Sequence, residues 1–246
     1  MLRMKKGSAR FASVFIQLAS SCRGFQDWVA PIPAFKDATV GVRRIGFLRH
    51  GNTLPSSIDW ERPLSEIGRQ QAIEAGQSFG KELEPFHPFL LVSPAPRTME
   101  TARLFCPTAS LLPIQSLYDG TMQPGGSAIF RKIGYAPLLD YLENENQQER
   151  ELMHQLLGAY ARETTTAIVN HLKETKSSED CTLWIVGHAI YLPSAVVGLA
   201  QAAGFDSEDD SFQVALSTST HEAEGYLVDF DTQSIRYLQR PSNQKQ

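Results

Sequence analysis

Three short apolar runs, each followed at once by turn-forming residues, constrain the fold of this chain most strongly. They cover residues 42–48, 89–93 and 182–186. Runs of this length that are apolar throughout are typical of strands buried on both faces of a parallel sheet. Strands that alternate with helices pack as layers. The pattern therefore predicts an α/β sandwich of three layers with a mostly parallel central sheet.

The segments between these runs have helical periodicity. Ser65 is a suitable N-cap for a helix after Pro63 and Leu64, because its hydroxyl can accept from a free backbone N–H. The apolar face predicted for this helix is Ile67, Ala72, Ala75, Phe79 and Leu83. Other predicted helices cover residues 98–105, 145–173 (one helix or two, with a kink at the β-branched residues 164–166) and 193–203. Residues 111–126 are predicted to be irregular, and residues 226–230 and 235–238 to form a β-hairpin.

The N-terminal segment differs from the rest of the chain. The first acidic residue is Asp27, and basic residues are interleaved before it with serines and an apolar stripe at helical spacing. This composition is typical of an organelle transit peptide, although a basic extension without a targeting role has the same features. We divide the chain into an extension, residues 1–38, and one folded domain, residues 39–246. The protein is expected inside the cell, in a mitochondrion or plastid if the extension targets it and otherwise in the cytoplasm.

Composition excludes several classes of function. The net charge is −4, which argues against a general nucleic-acid-binding protein. Cys22, Cys106 and Cys181 are odd in number and far apart, so they fit neither a disulfide framework nor a zinc site and favour a reducing compartment. The apolar stretch near the N-terminus is too short to span a bilayer. The scattered glycines form no nucleotide-binding loop.

Polar residues follow each of the three predicted strands. Arg49 and His50 follow the first, Ser93 and Pro94 the second, and His188 the third. In open parallel sheets, binding sites form at the carboxyl ends of the strands. Neighbouring strands would therefore bring two imidazoles and a guanidinium together. Guanidinium groups match phosphate oxygens, and an unprotonated imidazole nitrogen is a nucleophile.

The sequence resembles the histidine phosphatase superfamily, which includes the cofactor-dependent phosphoglycerate mutases. The resemblance rests on Arg-His-Gly-Asn-Thr at 49–53, Arg-Pro-Leu-Ser-Glu-Ile-Gly at 62–68, Ser-Pro-Ala-Pro-Arg at 93–97 and Val-Gly-His at 186–188. These segments occur in that order between residues 42 and 204. The resemblance implies a phosphoglycerate mutase-like fold.

The resemblance also implies roles for the matching residues. His50 matches the nucleophile that becomes phosphohistidine. Arg49 and Arg97 match the two arginines of the phosphate pocket, and the second histidine of the pocket is matched by His188. Phosphoryl transfer depends on positioning and on charge stabilisation, which two guanidinium groups and a protonated imidazole at 188 would supply. No metal ion and no cofactor are expected.

Several departures bear on the substrate and on the general acid. The mutases usually have Glu-Thr and then Trp-Asn after the first motif, whereas this chain has Asn52, Thr53, Leu54 and Pro55. The mutases also carry a glutamate general acid, for which Asp119 is the candidate here, although an Asp-Gly pair also forms surface turns. The short loop and the Arg-Pro-Leu segment are closer to compact phosphohistidine phosphatases. Residues 120–151 form a longer insert, predicted to be a lid.

The predicted function is a metal-independent phosphatase that hydrolyses a phosphomonoester or a phosphoramidate through phosphohistidine. Its partner would be a small phosphorylated substrate or a phosphoprotein, not a nucleic acid. The alternatives are a mutase-type phosphotransferase and a non-catalytic phosphate-binding module. Asn52 and Thr53 either contact the substrate or only form the turn, and Arg62 either contacts the substrate or faces solvent. The other histidines, His87, His154, His171 and His221, are predicted to be structural or on the surface.

Overall fold

A single six-stranded sheet organises the computed structural model, which describes residues 28–33, 35–119, 125–175 and 180–241. The strands are β1 (Val42–Arg49), β2 (Phe86–Val92), β3 (Ser110–Pro113), β4 (Cys181–Gly187), β5 (Gly225–Asp229) and β6 (Ser234–Leu238). The helices are α1 (Phe35–Ala38), α2 (Glu66–Leu83), α3 (Pro96–Phe105), α4 (Ser116–Asp119), α5 (Gly126–Ile133), α6 (Leu138–Leu142), α7 (Gln147–Glu174), α8 (Tyr191–Ala202) and α9 (Asp210–Ser217). A 3₁₀ turn covers Asp59–Glu61.

The strand order is β3-β2-β4-β1-β5-β6. Strands β1 to β4 run parallel to one another, β5 is antiparallel to β1, and β6 pairs with β5 as a hairpin. The mostly parallel sheet and the C-terminal hairpin predicted from the sequence are confirmed.

The two faces of the sheet bury different sets of side chains. In β4, Leu183 and Ile185 point to one face, where α7 and α8 supply the other half of the core. Trp184 and Val186 point to the opposite face and pack with residues of α2 and α3. This alternation follows from the two-residue period of a strand. The helices on both faces make the sandwich of three layers.

The first long helix begins as expected but buries a different face. The Ser65 hydroxyl accepts a hydrogen bond from the backbone N–H of Gly68 at 3.0 Å, which confirms the N-cap. Ala72, Ala75 and Phe79 are buried, whereas Ile67 is 66% exposed, so its assignment to the apolar face was wrong. At about 100° per residue, Ile67 lies roughly 80–140° around the helix axis from the three buried residues.

Three other expectations need correction. Strand β2 begins at Phe86 and includes Pro88, which is tolerated where the pairing of β2 with β4 is irregular between Phe86 and Leu90. Residues 110–113, predicted in part to be irregular, form the short edge strand β3. Helix α7 runs through residues 164–166, so the predicted kink does not interrupt it.

Part of the predicted extension packs on the domain. Trp28, Val29 and Phe35 are buried in the core. The Val29 N–H donates to the Gln201 side chain at 3.2 Å, which ties this segment to α8. The transit-peptide prediction concerns mainly residues 1–27, which lie outside the described part of the chain, and the boundary at residue 38 stays a prediction. Within the described residues, no helix is both long and apolar enough to cross a membrane.

Candidate active site

The carboxyl ends of three neighbouring strands meet at one edge of the sheet. Backbone hydrogen bonds continue one residue past each strand: the His50 N–H donates to the Gly187 carbonyl at 3.1 Å, and the Ser93 N–H donates to the Val186 carbonyl at 3.0 Å. Since the strands end level with one another, the side chains that follow them share one location. The structure thus brings His50 and His188 together, with 5.4 Å between their ring centroids.

Backbone contacts fix the ring of His50 in one orientation. Its Nδ1 lies 2.8 Å from the carbonyl oxygen of Gly51, so Nδ1 carries the proton and Nε2 keeps its lone pair. The Gly51 N–H in turn donates to the Thr101 hydroxyl at 3.1 Å. A side chain at position 51 would place its Cβ 2.3 Å from the Gly68 carbonyl oxygen, so the turn packs directly on the first turn of α2.

His50 is uncharged in this setting. Burial lowers the pKa of His50 well below its ordinary value of 6.5, and the nearby His188, Arg49 and Arg97 lower it further. The hydrogen bond to the Gly51 carbonyl acts in the opposite direction but does not overcome these effects. Its Nε2 is therefore available as a nucleophile at neutral pH.

His188 makes two polar contacts. Its Nε2 lies 2.8 Å from the Ser93 hydroxyl, and its Nδ1 lies 3.4 Å from Nη2 of Arg97. Because a guanidinium only donates, Nδ1 accepts and Nε2 carries the proton. Burial, followed by repulsion from Arg97 and Arg49, lowers the pKa of His188 well below 6.5. His188 is therefore neutral in this arrangement, and the protonated imidazole that the sequence predicts for the reaction stays a prediction.

Arg49 is almost completely buried at the end of β1, where it is 2% exposed. Its Nη1 donates to the Thr220 carbonyl at 2.6 Å, and its Nη2 donates to the Glu222 carboxylate at 3.3 Å. The ring of Tyr135 lies over the guanidinium, with 4.2 Å between Cζ and the ring centroid. The chain before β5 and the segment after α5 thus hold this cation between them.

Arg97 lies in the first turn of α3 and is 3% exposed. Asp59 takes both of its terminal nitrogens: Nη1 donates to the Asp59 carbonyl at 2.6 Å, and Nη2 donates to the Asp59 carboxylate at 2.8 Å. Partial burial would raise the pKa of Asp59, but Arg97 and then Arg62 outweigh this effect and lower the pKa. Asp59 is therefore an ionised partner that fixes the orientation of Arg97.

Both arginines have one nitrogen without a hydrogen-bond partner. The Nε atoms of Arg49 and Arg97 are buried and have no hydrogen-bond partner. A buried donor without a partner costs about 1–3 kcal/mol, more when it is charged, so such groups need a physical reason. A tetrahedral oxyanion could accept from donors of this kind. These unpaired N–H groups therefore favour an anion site.

The predicted substrate-binding residues have different positions. Arg62 lines the cavity described below, where it bonds to the Asp59 carboxylate at 3.3 Å and to the Thr53 hydroxyl. Asn52 accepts from the Ser65 hydroxyl at 2.7 Å, and its backbone N–H donates to Gln71 at 2.8 Å. Asn52 and Thr53 thus brace the loop against α2, and a substrate contact by either one stays a prediction.

Asp119, the predicted general acid, is the last residue of α4. Its side chain lies outside the part of the chain that the structure describes. The prediction for Asp119 is therefore untested.

A cavity of about 600 Å³ opens beside His50, Arg97 and His188. The loop after β1, the segment from α5 to Tyr135, and the residues that follow His188 complete its wall.

The sequence analysis did not identify Asp59, Glu222 and Tyr135 as residues of the site. Asp59 left a weak signal, since it stands three residues before Arg62 and such a pair can form across one helical turn. Glu222 and Tyr135 left none, because they reach Arg49 from distant parts of the chain.

Metal-ligating side chains are not clustered in the described residues. Among those residues, no group of three or more His, Cys, Asp and Glu side chains could hold a metal ion. The expectation of a reaction without a metal or a cofactor stays a prediction.

Comparisons with known proteins concern the family and the fold of the chain. The sequence profile of the histidine phosphatase superfamily (branch 1) matches residues 45–119, which include His50 and Arg97. No curated protein sequence matches the chain. A phosphoserine phosphatase from Entamoeba histolytica is 14% identical and shares the fold with a TM-score of 0.53, over 82% of this chain and 98% of that one. A phosphoglycerate mutase from Bacillus anthracis str. Sterne is 14% identical, with a TM-score of 0.52, over 83% of this chain and 95% of that one.

Residues 45–119 match the histidine phosphatase superfamily, and the chain has the phosphoglycerate mutase-like fold. The family match supports a phosphatase enzyme, as the sequence predicts. At this level of identity the solved structures establish the fold alone.

Proposed function

We propose that this protein is a phosphatase that hydrolyses a phosphomonoester or a phosphoramidate through a phosphohistidine at His50, without a metal ion. The observation that carries the proposal is the state of His50. Its Nδ1 is held by the Gly51 carbonyl at 2.8 Å, and its pKa is lowered well below 6.5, so Nε2 has a free lone pair next to two arginines.

In the first step, Nε2 of His50 attacks phosphorus and the bond from phosphorus to the leaving oxygen breaks. Negative charge on the phosphoryl oxygens is stabilised by Arg49 and Arg97, whose unused Nε donors are already desolvated. The leaving oxygen takes up a proton, for which Asp119 stays the predicted donor. In a phosphoramidate the bond from phosphorus to nitrogen breaks instead, and the amine leaves more easily and depends less on such an acid.

In the second step, water attacks phosphorus and the bond to Nε2 breaks. Inorganic phosphate leaves, His50 returns to its neutral form, and the proton lost by water passes to phosphate or solvent. His188 assists because its protonation state depends on the charge of the bound phosphate. Its pKa is low because it is buried and near Arg97 and Arg49, so a bound phosphate dianion would offset their repulsion and favour protonation of His188.

Phosphate release from the full-length chain tests this proposal. The chain is offered p-nitrophenyl phosphate, phosphoserine and a phosphoramidate in the presence of EDTA, and inorganic phosphate is measured. We expect release by the native protein and loss of at least about 10⁴-fold in kcat/KM for His50→Ala, as is typical when a nucleophile is removed. His221→Ala is the matched control. Because His221 is exposed, this variant should keep the activity of the native protein.

The same assay separates the alternatives. Transfer of phosphate to a second acceptor without net release would indicate a mutase. Binding of phosphate without release or transfer would indicate a binding module. Release that persists in His50→Ala would overturn the mechanism. A radiolabelled phosphoenzyme that is stable in alkali, labile in acid and absent from His50→Ala would support it further.

A further inference from the structure

The cavity beside His50 is lined by more residues than a phosphate group alone would contact. Its volume of about 600 Å³ is in the range that holds small organic ligands, typically about 300–1,000 Å³. Beyond the arginines and histidines, its wall includes Pro55, Phe130, Tyr135, Ile190 and Tyr191. These residues would present rings and aliphatic groups to the organic part of a substrate, and the cations Arg62 and Arg131 also line the cavity.

An aromatic series connects this wall to the phosphate site. Tyr135 lies over the Arg49 guanidinium at 4.2 Å. Phe130 meets Tyr135 edge to face, with 5.4 Å between ring centroids, and stacks on the buried Tyr141 at 6.5 Å. An organic group attached to a phosphate near Arg49 would thus begin next to the Tyr135 ring. Tyr135 is 55% exposed, so a ligand could cover much of its surface.

Polar groups suited to a polyhydroxylated ligand are few in this wall. Sugar hydroxyls are usually bound by carboxylate and amide side chains, because a carboxylate accepts from a hydroxyl and an amide can both accept from it and donate to it. Among the described residues that line the cavity, the only carboxylate is Asp59, and both Arg97 and Arg62 already bind it. The remaining neutral polar side chains are the short hydroxyls Ser56, Ser57 and Ser127, together with the tyrosines.

Resting on the proposed function, we infer that the substrate of this site is a small phosphomonoester whose organic part carries an aromatic ring. The phosphoryl group lies against Arg49 and Arg97, and the ring packs on the wall formed by Phe130 and Tyr135. Aromatic pairs prefer edge-to-face or offset contacts, and these two side chains already present both an edge and a face.

Two esters with leaving alcohols of similar acidity test this inference without a leaving-group effect. The full-length chain is assayed with benzyl phosphate and with glycerol 2-phosphate. We expect kcat/KM to be about tenfold higher for benzyl phosphate, because an aromatic contact contributes about 0.5–1.5 kcal/mol beyond area burial and 1.36 kcal/mol is tenfold. In Phe130→Ala the ratio should fall to about twofold or less. In the control Ile67→Ala, whose exposed side chain is outside the cavity wall, the ratio should not change.

A binding measurement separates this inference from the proposed function. Benzylphosphonate and methylphosphonate are not hydrolysed, so calorimetry compares their affinities even if no ester is turned over. We expect benzylphosphonate to bind about tenfold more tightly. If Phe130→Ala does not fold, Tyr135→Leu tests the same wall at a half-exposed position, and it too should reduce the preference.

Equal affinities for the two phosphonates, or an ester ratio that is unchanged in both variants, would overturn the aromatic wall as a determinant of specificity. If neither ester is hydrolysed but benzylphosphonate still binds more tightly, the proposed hydrolysis fails and the inference on ligand class survives.

Discussion

Two pairs of buried histidines in this protein have nearly the same ring geometry but lie at opposite ends of the sheet. His50 and His188 are 5.4 Å apart at 66°, at the carboxyl ends of β1 and β4. His87 and His171 are 5.9 Å apart at 69°, near the amino end of β2 and the last turn of α7. In both pairs burial lowers the pKa of each ring, so all four are neutral at pH 7.

The surroundings distinguish the two pairs. The first pair is next to Arg49 and Arg97, whose charges lower both pKa values further, and it opens into a cavity. At the second pair, Phe89 packs against both rings, and its backbone N–H donates to Nδ1 of His87 at 3.3 Å. The charged side chain that acts on His171 is Glu174. Two close imidazoles are therefore not a site by themselves, since chemistry also requires the cations and an opening.

The largest effect is expected when one of the two cations beside the first histidine pair is removed. Arg97→Gln should lower kcat/KM for p-nitrophenyl phosphate by about 10²–10³-fold, the usual cost of losing one donor that stabilises transition-state charge. Phosphate release measures the effect. The control is Arg103→Gln on the exposed side of the same helix, which should keep native activity. A loss of less than about threefold would contradict the assigned role of Arg97.

A smaller effect is expected when the partner of that cation is changed. Asp59→Asn removes the charge that holds Arg97 but keeps the size of the side chain. Misplacement of a catalytic group by 1 Å can cost 10²-fold, and partial loss of positioning should lower kcat about tenfold. Asp59→Glu should recover part of the rate, because the carboxylate is restored. Native kcat in Asp59→Asn would show that Asp59 does not position Arg97 for the reaction.

A substitution in the second pair, His87 and His171, should change the stability of the protein and leave its activity unchanged. The lowered pKa of His171 means that the unfolded chain binds more protons below about pH 6.5, so stability is full above that value and falls as the pH decreases. The slope is at most about 1.4 kcal/mol per pH unit for one group. His171→Phe should therefore lose less stability between pH 7.5 and 5.5 than the native protein, by at most about 1.4 kcal/mol. Urea unfolding at both pH values measures this, and an identical pH dependence would contradict it.

The smallest effect is a change in bound protons. Binding of sulfate, a tetrahedral dianion that does not itself titrate near pH 7, should raise the pKa of His188 and draw in a fraction of one proton at pH 7. Calorimetry in two buffers with different ionisation enthalpies measures the uptake. It should fall toward zero in His188→Gln and persist in His171→Phe, because the distant pair does not meet the anion. Equal uptake in native protein and His188→Gln would place the proton elsewhere.

Much of this arrangement could be predicted from the sequence because it is local. The three apolar runs predict strands, and the residues that follow them are the ones that meet at the edge of the sheet. The N-cap at Ser65 and the hairpin of β5 and β6 also follow from short patterns. The predicted apolar face of α2 was partly wrong, because Ile67 fits a helical period but lies outside the part of the helix surface that contacts the sheet.

The remaining features could not be predicted because they depend on contacts between distant segments. Glu222 and the Thr220 carbonyl meet Arg49 only through the return of the chain before β5. The Tyr135 ring reaches the same guanidinium from the other side of the sequence. A local pattern carries no information about such pairs, since the energy that places them comes from the packing of whole elements.

By itself, the sequence determined the sheet with its helical layers, and the set of imidazole and guanidinium groups at the strand ends, because both follow from periodicity and chain order. Only the tertiary structure decided their charge states and partners. Burial and two neighbouring cations keep His188 neutral, and Asp59 holds Arg97 from the segment between β1 and α2. Desolvation and Coulomb interactions depend on distances in space, and those distances exist only once the chain has folded.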